Sequence, residues 1–267
     1  TKSTNKLMRL ALSIEYIGSN YYGWQKQNTN STNTIQYYVD AALTKIANHE
    51  IKTVCSGRTD TGVNALNQVV HFDTTSRRLD KNWIDGVNSN LPNDIRVKNI
   101  YHVDKEFHAR FQALSRTYHY YINNNADSTI FNNSYTWIIK DKLSITKMKS
   151  SLKYLNGLQD FTSFRSSGCQ AKSPLRHIIN TSIKKNKNII IFSITANAFL
   201  YHMVRNIIGT IVDVGTNKIT PSNLRNIINK KDRKYCSKMA PANGLFLWKV
   251  SYPRKYKINY NSESILL

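Results

Sequence analysis

The chain has 267 residues, with 38 lysines and arginines against 16 acidic residues, a formal net charge of +22 and a pI near 9.9. This length suits one large or two small domains. The sequence has no run of about 18 apolar residues and no long apolar segment near its start, so we expect no membrane span and no signal peptide. Three widely separated cysteines, none in a CxxC pair, favour reduced thiols in the cytoplasm over a disulfide framework or a zinc site.

The excess of positive charge indicates an anionic partner. Nucleic acid is the leading candidate, because a field of this sign attracts polyanions. Composition offers a second explanation for part of the charge, since the chain is rich in Lys, Asn, Ile and Tyr, as proteins of AT-rich genomes are. Some of the lysines would then lie on solvated faces without a functional role.

The first half of the chain predicts the element order β-α-β-β-α-β. Apolar and polar residues alternate from Met8 to Tyr16, which is typical of a half-buried strand. Thr34 is placed to cap a helix whose apolar residues, up to Ile46, fall on one face. The elements that follow are predicted strands at 51–55, 68–72 and 95–101 and a predicted helix at 83–88.

The second half shows a related pattern without a sequence repeat. Strands are predicted at 117–122, 177–184, 189–195 and 245–252, helices at 144–155 and 198–214, and a polar connection at 123–133. The prediction is an α+β fold of two pseudo-symmetric halves, 1–110 and 111–267, that share a sheet and a cleft.

The stretch SGRTDTGV, residues 56–63, places Arg58 beside Asp60 in a loop flanked by glycines, between two predicted strands. One interpretation of Asp60 is a turn carboxylate that caps its own loop, which is common in such sequences. The other is a buried, ionised nucleophile or base, because a neighbouring guanidinium keeps a carboxylate charged despite desolvation. The residue types alone favour the turn.

Arg205 lies at the edge of the apolar stripe of the predicted helix 198–214, about one turn after His202. An arginine so close to buried surface calls for a carboxylate partner, because an unpaired buried charge is costly. With 16 acidic residues in the chain, such partners are scarce. Asp60 is the acid in the most suggestive setting.

Other candidate residues have two interpretations each. Tyr118 is either a core aromatic of its strand or a platform for a base, and Arg110 and Arg116 are either surface charges or phosphate contacts. The histidines show no metal-binding spacing, and the sequence has neither a P-loop, a GxGxxG motif nor a GxSxG elbow. The chemistry indicated uses a carboxylate, arginines and aromatics, with no metal or cofactor.

Five motifs, in order along nearly the whole chain, resemble the bacterial TruA-type tRNA pseudouridine synthase family. They are residues 14–18 with 21–25 (IEYIG, YYGWQ), 57–63 (GRTDTGV), 107–111 with 116–118 (FHARF, RTY), 160–164 (DFTSF) and 196–206 (ANAFLYHMVRN). A lone GRTD would be weak, but five ordered motifs are specific. The resemblance reverses the preference for the turn interpretation of Asp60.

The resemblance implies a role for each of five residues. Asp60 matches the catalytic aspartate, and Tyr118 matches the tyrosine that stacks on the target base. Arg205 matches the arginine that pairs with the aspartate, Arg58 one that holds the flipped nucleotide, and Leu245 a residue lining the uracil pocket.

Two departures from the family pattern occur after the aspartate. The family commonly has Ala where this chain has Thr61, and His where it has Asn64. Neither position carries the chemistry, so we expect an effect on rate more than on activity itself.

The resemblance also implies the reaction and the partners. A cytoplasmic isomerase would convert uridine to pseudouridine at positions 38, 39 and 40 of the tRNA anticodon stem-loop, as a homodimer and without a cofactor. The pseudouridine synthase fold would supply a mixed, mainly antiparallel central sheet with a basic RNA-binding cleft, and the target base would be flipped out of its stem. Whether the aspartate attacks the sugar or abstracts a ribose proton to give a glycal stays open.

Two other function classes fit parts of the sequence. A non-catalytic RNA-binding or tRNA-folding protein would share the basic surface, but it would gain nothing from an aspartate that repels phosphate. A glycoside hydrolase with two carboxylates would need a second acid in a comparable setting. Glu15, Glu50 and Glu106 are not in such settings.

Overall fold

The computed structural model describes residues 7–25, 32–125 and 134–259, and within these ranges the chain forms ten strands and five α-helices. The strands are β1 (Met8–Tyr16), β2 (Val54–Cys55), β3 (Asn64–Thr74), β4 (Ile95–Val103), β5 (Ser115–Asn123), β6 (Trp137–Ile138), β7 (Gly157–Asp160), β8 (Leu175–Asn186), β9 (Ile189–Ala196) and β10 (Leu245–Ser251). The helices are α1 (Ile35–Ala47), α2 (Asp80–Asn88), α3 (Ile145–Ser151), α4 (Met203–Gly215) and α5 (Asn223–Lys230), and short 3-10 turns cover 152–154, 162–164, 233–235 and 254–256.

The chain divides into two compact units. The first contains the described residues up to Leu114 and those from Leu247 onward, and the second contains the described residues from Ser115 to Phe246. Strand β10 therefore begins in the second unit and continues into the first. The sequence did not predict this return of the C-terminal segment. The predicted division at residue 110 stays a prediction.

In the first unit the strands lie in the order β4-β1-β3-β10, and β2 pairs with β3. β1 is antiparallel to both neighbours, with Leu10 opposite Phe72 on β3 and His102 on β4. The sequence predicted a half-buried β1, but every residue from Leu10 to Ile14 is buried. A strand between two neighbouring strands, in a sheet that is covered on both faces, buries its polar residues as well, here Ser13.

Helix α1 begins as predicted, because the Thr34 side chain accepts a hydrogen bond from the Tyr37 N–H. The predicted strand 51–55 is shorter than expected, since β2 covers only its last two residues. Buried Asp40 of α1 explains the difference. Its Oδ1 accepts hydrogen bonds from the Thr53 N–H at 3.0 Å and from the Thr53 hydroxyl at 2.6 Å, so this segment is anchored to the helix.

In the second unit the strands lie in the antiparallel order β5-β9-β8-β7, and β6 runs parallel to β5. The long apolar helix was predicted from residue 198, but α4 begins at Met203. His202 adopts a left-handed backbone with φ of 61°, which a right-handed helix cannot contain. The short elements β6, β7 and α5 were not predicted, and the polar connection 123–133 lies outside the described residues from 126 onward.

The predicted α+β class with a large mixed sheet of mainly antiparallel strands is confirmed. None of the helices in the described ranges combines the length and the apolar character that a bilayer crossing would demand.

Candidate active site

Residues 56–63, here the Asp60 loop, connect β2 to β3 in the first unit, and buried polar groups hold the start of this loop. The Ser56 hydroxyl donates to Oε1 of Gln68 at 2.6 Å, and Nε2 of Gln68 donates to the Gly57 carbonyl at 2.7 Å. The Ser56 N–H donates to the Val69 carbonyl at 2.8 Å. Because Ser56 and Gln68 are buried, water does not compete for the bond between their side chains.

The end of the Asp60 loop is a tight turn. The Val63 N–H donates to the Asp60 carbonyl at 3.1 Å, and Gly62 between them has a positive φ of 79°. Just beyond the loop, Oδ1 of buried Asn64 accepts the Gly18 N–H at 2.9 Å. Asn64, the second departure from the family pattern, therefore joins the start of β3 to the loop after β1.

The loop after β1 packs directly on the Asp60 loop. The Trp24 N–H donates to the Thr59 carbonyl at 3.1 Å, and the Thr59 hydroxyl is 2.7 Å from the hydroxyl of Tyr16. Gly23 has φ of 77°, and a Cβ there would lie 2.6 Å from the Thr59 carbonyl oxygen. Only glycine allows both this conformation and this approach. The backbone that carries Asp60 is thus enclosed by a second loop.

Arg58 and Asp60 themselves differ in exposure. Arg58 is exposed and Asp60 is half-buried, on a backbone whose two ends are both anchored. The backbone that carries the Asp60 side chain is therefore held in place on both sides.

In the second unit, Tyr118 lies on β5 opposite Ile194 of β9 and is 9 % exposed. Its ring meets that of Phe199 edge to face, with centroids 5.2 Å apart and an interplanar angle of 88°. On the same strand, Arg116 is also buried and donates to the Asn197 carbonyl at 2.8 Å. Phe199 and Asn197 both belong to the segment that precedes α4, so β5 and this segment are packed together.

Arg205 lies in the first turn of α4 and is held by a backbone carbonyl. Its Nε donates to the Ala240 carbonyl at 2.8 Å, and the Ala240 N–H donates back to the Arg205 carbonyl at 3.1 Å. One turn later, a Cβ on Gly209 would lie 1.9 Å from the Lys238 carbonyl oxygen. The helix and residues 238–240 therefore touch with no space between them, and this contact positions the guanidinium.

Leu245 begins β10 and is 4 % exposed. Its N–H donates to the Ala242 carbonyl at 2.9 Å, while the Gly244 carbonyl accepts the Tyr121 N–H at 2.9 Å. The Tyr120 hydroxyl donates to the Pro241 carbonyl at 2.9 Å. Residues 240–245 are therefore bonded both to α4 and to β5, and this segment links the elements of Arg205, Leu245 and Tyr118.

The structure brings these five residues together in two groups. Arg58 and Asp60 share one loop of the first unit, whereas Tyr118, Arg205 and Leu245 lie on connected elements of the second. The ion pair between Asp60 and Arg205 stays a prediction.

Several supporting residues were missed by the sequence analysis. Gln68 and Ser56 were not singled out, although Gln68 opens the apolar run QVVHF. A polar residue at a fully buried position needs a partner, and that signal would have pointed to the loop backbone. The bond from Arg205 to Ala240 joins residues 35 apart, and no sequence pattern indicates it.

Two histidines are held neutral. Burial, and then the charge of Arg9, lowers the pKa of His71 to about 4, and its Nδ1 accepts the Ala109 N–H at 3.1 Å. Burial, and then Lys184, lowers the pKa of His119 to about 4. Across the described ranges, no group of three or more His, Cys, Asp or Glu residues is arranged to hold a metal ion.

Comparison with known proteins gives consistent matches. A family model described as tRNA pseudouridine synthase matches residues 12–112 and 152–253. A protein of Buchnera aphidicola from Schizaphis graminum named tRNA pseudouridine synthase A is 46% identical over 255 residues, which cover 95% of each chain. A protein of Legionella pneumophila (strain Lens) with the same name is 43% identical, covering 96% of this chain and 97% of the relative.

A solved structure of a Cbf5-Nop10-Gar1 complex is also similar, with a TM-score of 0.32 and 15% identity over 76% of this chain and 45% of that one. A similarity of this size carries no argument about the fold or the site.

Proposed function

Because the chain belongs to the tRNA pseudouridine synthase family, a family of isomerases, we propose that it converts uridine to pseudouridine at positions 38, 39 and 40 of the tRNA anticodon stem-loop. Asp60 is the catalytic residue of this proposal. It rests on one observation above all: Asp60 lies on a loop anchored at both ends by buried hydrogen bonds, within the range that the family model matches.

The proposed reaction is a rearrangement within one nucleotide. The bond between C1′ of the ribose and N1 of uracil breaks, the uracil turns, and C5 bonds to C1′. The proton lost from C5 is balanced by the proton gained at N1, so substrate and product are isomers. No electron or group enters from outside, and the balance requires no cofactor.

Asp60 would begin the reaction by one of two routes. Its carboxylate either attacks C1′ of the ribose or removes a ribose proton to give a glycal. Both routes need the ionised form of the carboxyl group. Arg205 would preserve that form in a desolvated site, because a nearby positive charge favours the charged carboxylate.

The other residues that match the family pattern would bind the flipped nucleotide. Extruding a nucleotide from a stem costs a few kcal/mol. Stacking on an aromatic ring contributes roughly 1–3 kcal/mol per base, which suits Tyr118. Exposed Arg58 would hold the flipped nucleotide, and buried Leu245 would line the uracil pocket.

The proposal includes the setting of the reaction. The net charge of +22 suits a cytoplasmic enzyme that recognises the tRNA backbone mainly by shape and phosphate contacts. A homodimer is expected, so that one tRNA meets both subunits.

The test uses an unmodified tRNA transcript with uridines at positions 38–40. It is incubated with the wild-type chain, with Asp60→Ala and with Asp60→Asn, and pseudouridine is mapped by carbodiimide-dependent primer-extension stops. We expect stops with the wild type and none with either variant. Asp85→Asn, which changes an exposed aspartate on α2, is the matched control and should keep wild-type stops.

Two results would contradict the proposal. Stops with Asp60→Asn at the wild-type level would remove Asp60 from the mechanism. Salt-sensitive tRNA binding without stops from any variant or from the wild type would favour the non-catalytic RNA-binding function instead.

A further inference from the structure

The second unit contains a pocket of about 420 Å³ that none of the roles above uses. One wall is the 3-10 turn at 162–164 with the residues after it, and the other follows the end of α5. The pocket is lined by Thr162, Arg165, Ser166, Ser167, Gly168, Cys169, Lys231, Asp232 and Arg233. Its volume lies within the range of small-ligand sites, so the pocket can hold a group of nucleotide size.

The pocket is positively charged, with three basic lining residues and one acidic one. Arg165 donates to the carbonyls of Cys169 and Ala171, at 2.8 and 2.9 Å. Arg233 donates to the carbonyls of Cys236 and Ser237, at 3.1 and 3.3 Å. These four acceptors are neutral carbonyls that fix each guanidinium in place without cancelling its charge.

Lys231 completes the positive rim. Its Nζ is 3.4 Å from Oδ2 of Asp160, but the lysine side chain is 62% exposed. An ion pair this exposed contributes little, so it does not compete strongly with an incoming anion.

The pKa of the Cys169 thiol is consistent with a positive electrostatic potential in the pocket. Burial opposes ionisation of this group. Nevertheless, hydrogen bonds from the N–H groups of Tyr201 and Ala171, together with the charge of Arg165, lower the pKa of Cys169. Surroundings that stabilise a thiolate also stabilise other anions.

The surface beside the pocket suits a nucleic-acid strand. Tyr235 is 47% exposed, and the ammonium groups of Lys230 and Lys234 lie 5.3 and 5.1 Å from its ring centroid. An exposed aromatic ring among cations is the usual composition of a surface that binds single-stranded or looped RNA.

The pocket is also bonded to the start of α4. Ser166 Oγ lies 3.1 Å from Nδ1 of His202 and accepts a hydrogen bond from Asn206 at 3.4 Å. Arg233 donates to Oδ1 of Asn206 at 3.0 Å. Asn206 follows Arg205 in the sequence. A ligand in the pocket would therefore contact residues that are hydrogen-bonded to the helical turn carrying Arg205.

We propose that this pocket binds a phosphodiester group of the substrate RNA backbone. Two fixed guanidiniums and an exposed ammonium around a recess, with hydroxyls beside them, match phosphate and sugar. The exposed ring of Tyr235, two residues after Arg233, suits the base of a neighbouring nucleotide. Such a contact positions the RNA and carries no sequence information. The inference rests on the proposed function for the identity of the RNA.

The first test measures binding of an unmodified tRNA transcript over a range of salt concentrations. Lys231→Asn removes one positive charge. The backbone at this position is left-handed, with φ of 49°, and asparagine tolerates this conformation. We expect RNA affinity to fall roughly three- to tenfold, and the slope of log K against log salt to fall by about 0.7–0.9.

Lys187→Asn is the matched control. Lys187 is an exposed lysine at the β8–β9 turn with φ of 51°, so the variant has the same charge change in the same backbone conformation, outside the pocket. It should keep wild-type affinity to within about twofold. Ser167→Glu introduces an anion at an exposed lining position and should weaken binding at least as much as Lys231→Asn.

The second test alkylates Cys169, which is partly exposed, while buried Cys55 and Cys236 serve as internal controls. Increasing concentrations of tRNA should slow the alkylation of Cys169 in proportion to the fraction of protein that is bound, with the greatest protection at saturation. Inorganic phosphate at matched ionic strength distinguishes the source of the anion. If phosphate protects Cys169 and tRNA does not, the ligand is a small phosphate compound and the RNA assignment is wrong.

The outcomes separate this proposal from the proposed function. If the wild type forms pseudouridine while Lys231→Asn and Ser167→Glu bind tRNA as the control does, the pocket proposal alone is overturned. If both variants lose affinity while the wild type forms no pseudouridine, the isomerase proposal fails and the phosphate site stands.

Discussion

The Asp60 loop and the start of α4 both carry candidate functional residues, and in each a glycine packs against a carbonyl group, but their hydrogen bonds differ. The Asp60 loop is contacted by Gly23 and is also fixed by buried polar side chains, such as Gln68, that hydrogen-bond to its backbone. At the start of α4, Gly209 lies against the Lys238 carbonyl, and the hydrogen bond of the Arg205 side chain runs outward to the Ala240 carbonyl. Hydrogen bonds can be lost one at a time, each with a modest effect, whereas a contact without spare space fails when one methyl group is added.

The largest effect is expected from Gly209→Ala. A Cβ at 1.9 Å from the Lys238 carbonyl must push residues 238–240 away from α4, and the Arg205 bond to Ala240 goes with them. We expect the free energy of unfolding to fall by about 3 kcal/mol in urea titrations.

Gly86→Ala is the control for that substitution. Gly86 is also in a helix, but its added Cβ would meet only the flexible end of Ile46, at 3.0 Å. Alanine also has the higher helix propensity, so stability should change by less than about 1 kcal/mol. Equal losses for the two variants would show that the close contact at Gly209 is unimportant.

Gly23→Ala applies the same perturbation to the Asp60 loop. The new side chain would occupy a left-handed backbone and would press on the Thr59 carbonyl, 2.6 Å away. We expect a stability loss of about 2 kcal/mol and a fall in kcat of up to about 100-fold, because a small displacement of a catalytic group is costly. Gly57→Ala, whose Cβ would meet nothing within 4 Å, should keep its stability.

Ser56→Ala removes one hydrogen bond from the Asp60 loop and leaves Oε1 of buried Gln68 without that donor. The expected loss is about 1–2 kcal/mol of stability, with kcat reduced more than KM is changed. Ser150→Ala, at an exposed position of α3, is the control and should stay within about 0.5 kcal/mol of the wild type. A wild-type kcat in Ser56→Ala would show that this bond does not position Asp60.

A further effect, of about the same size as that of Ser56→Ala, is a pH dependence contributed by one histidine in each unit. The folded-state pKa values of His71 and His119 are both about 4, below the usual value of 6.5. Between these values the unfolded chain binds more protons, so this stabilisation is full above about pH 6.5 and is lost as the pH falls towards 4. After discounting for partial exposure, each contributes roughly 1–2 kcal/mol.

Urea unfolding at pH 7.5, 5.5 and 4.5 checks this dependence. His71→Gln and His119→Gln should each show a shallower loss of stability with acid than the wild type, and the double variant should be the flattest. An unchanged slope in all three variants would mean that other groups cause the acid sensitivity.

Much of the fold and of the candidate site was predictable from local patterns. The Thr34 cap, the apolar face of α1 and the order of the elements along the first half of the chain depend on residues close in sequence, where periodicity carries the information. The ordered motifs identified the family, and the family model covers all of their segments except 116–118. Short elements such as β7 and α5 were missed because four and eight residues carry little periodicity.

The sequence by itself determined the element classes, the basic character and the family, because each is written in residue types and their spacing. Only the tertiary structure decided that Asp40 shortens β2, that His202 delays α4 until Met203 and that Gln68 supports the Asp60 loop. Each of these depends on a hydrogen-bond partner or a backbone angle selected by residues distant in the chain. A local pattern records which groups need a partner, whereas the folded chain determines which partner they obtain.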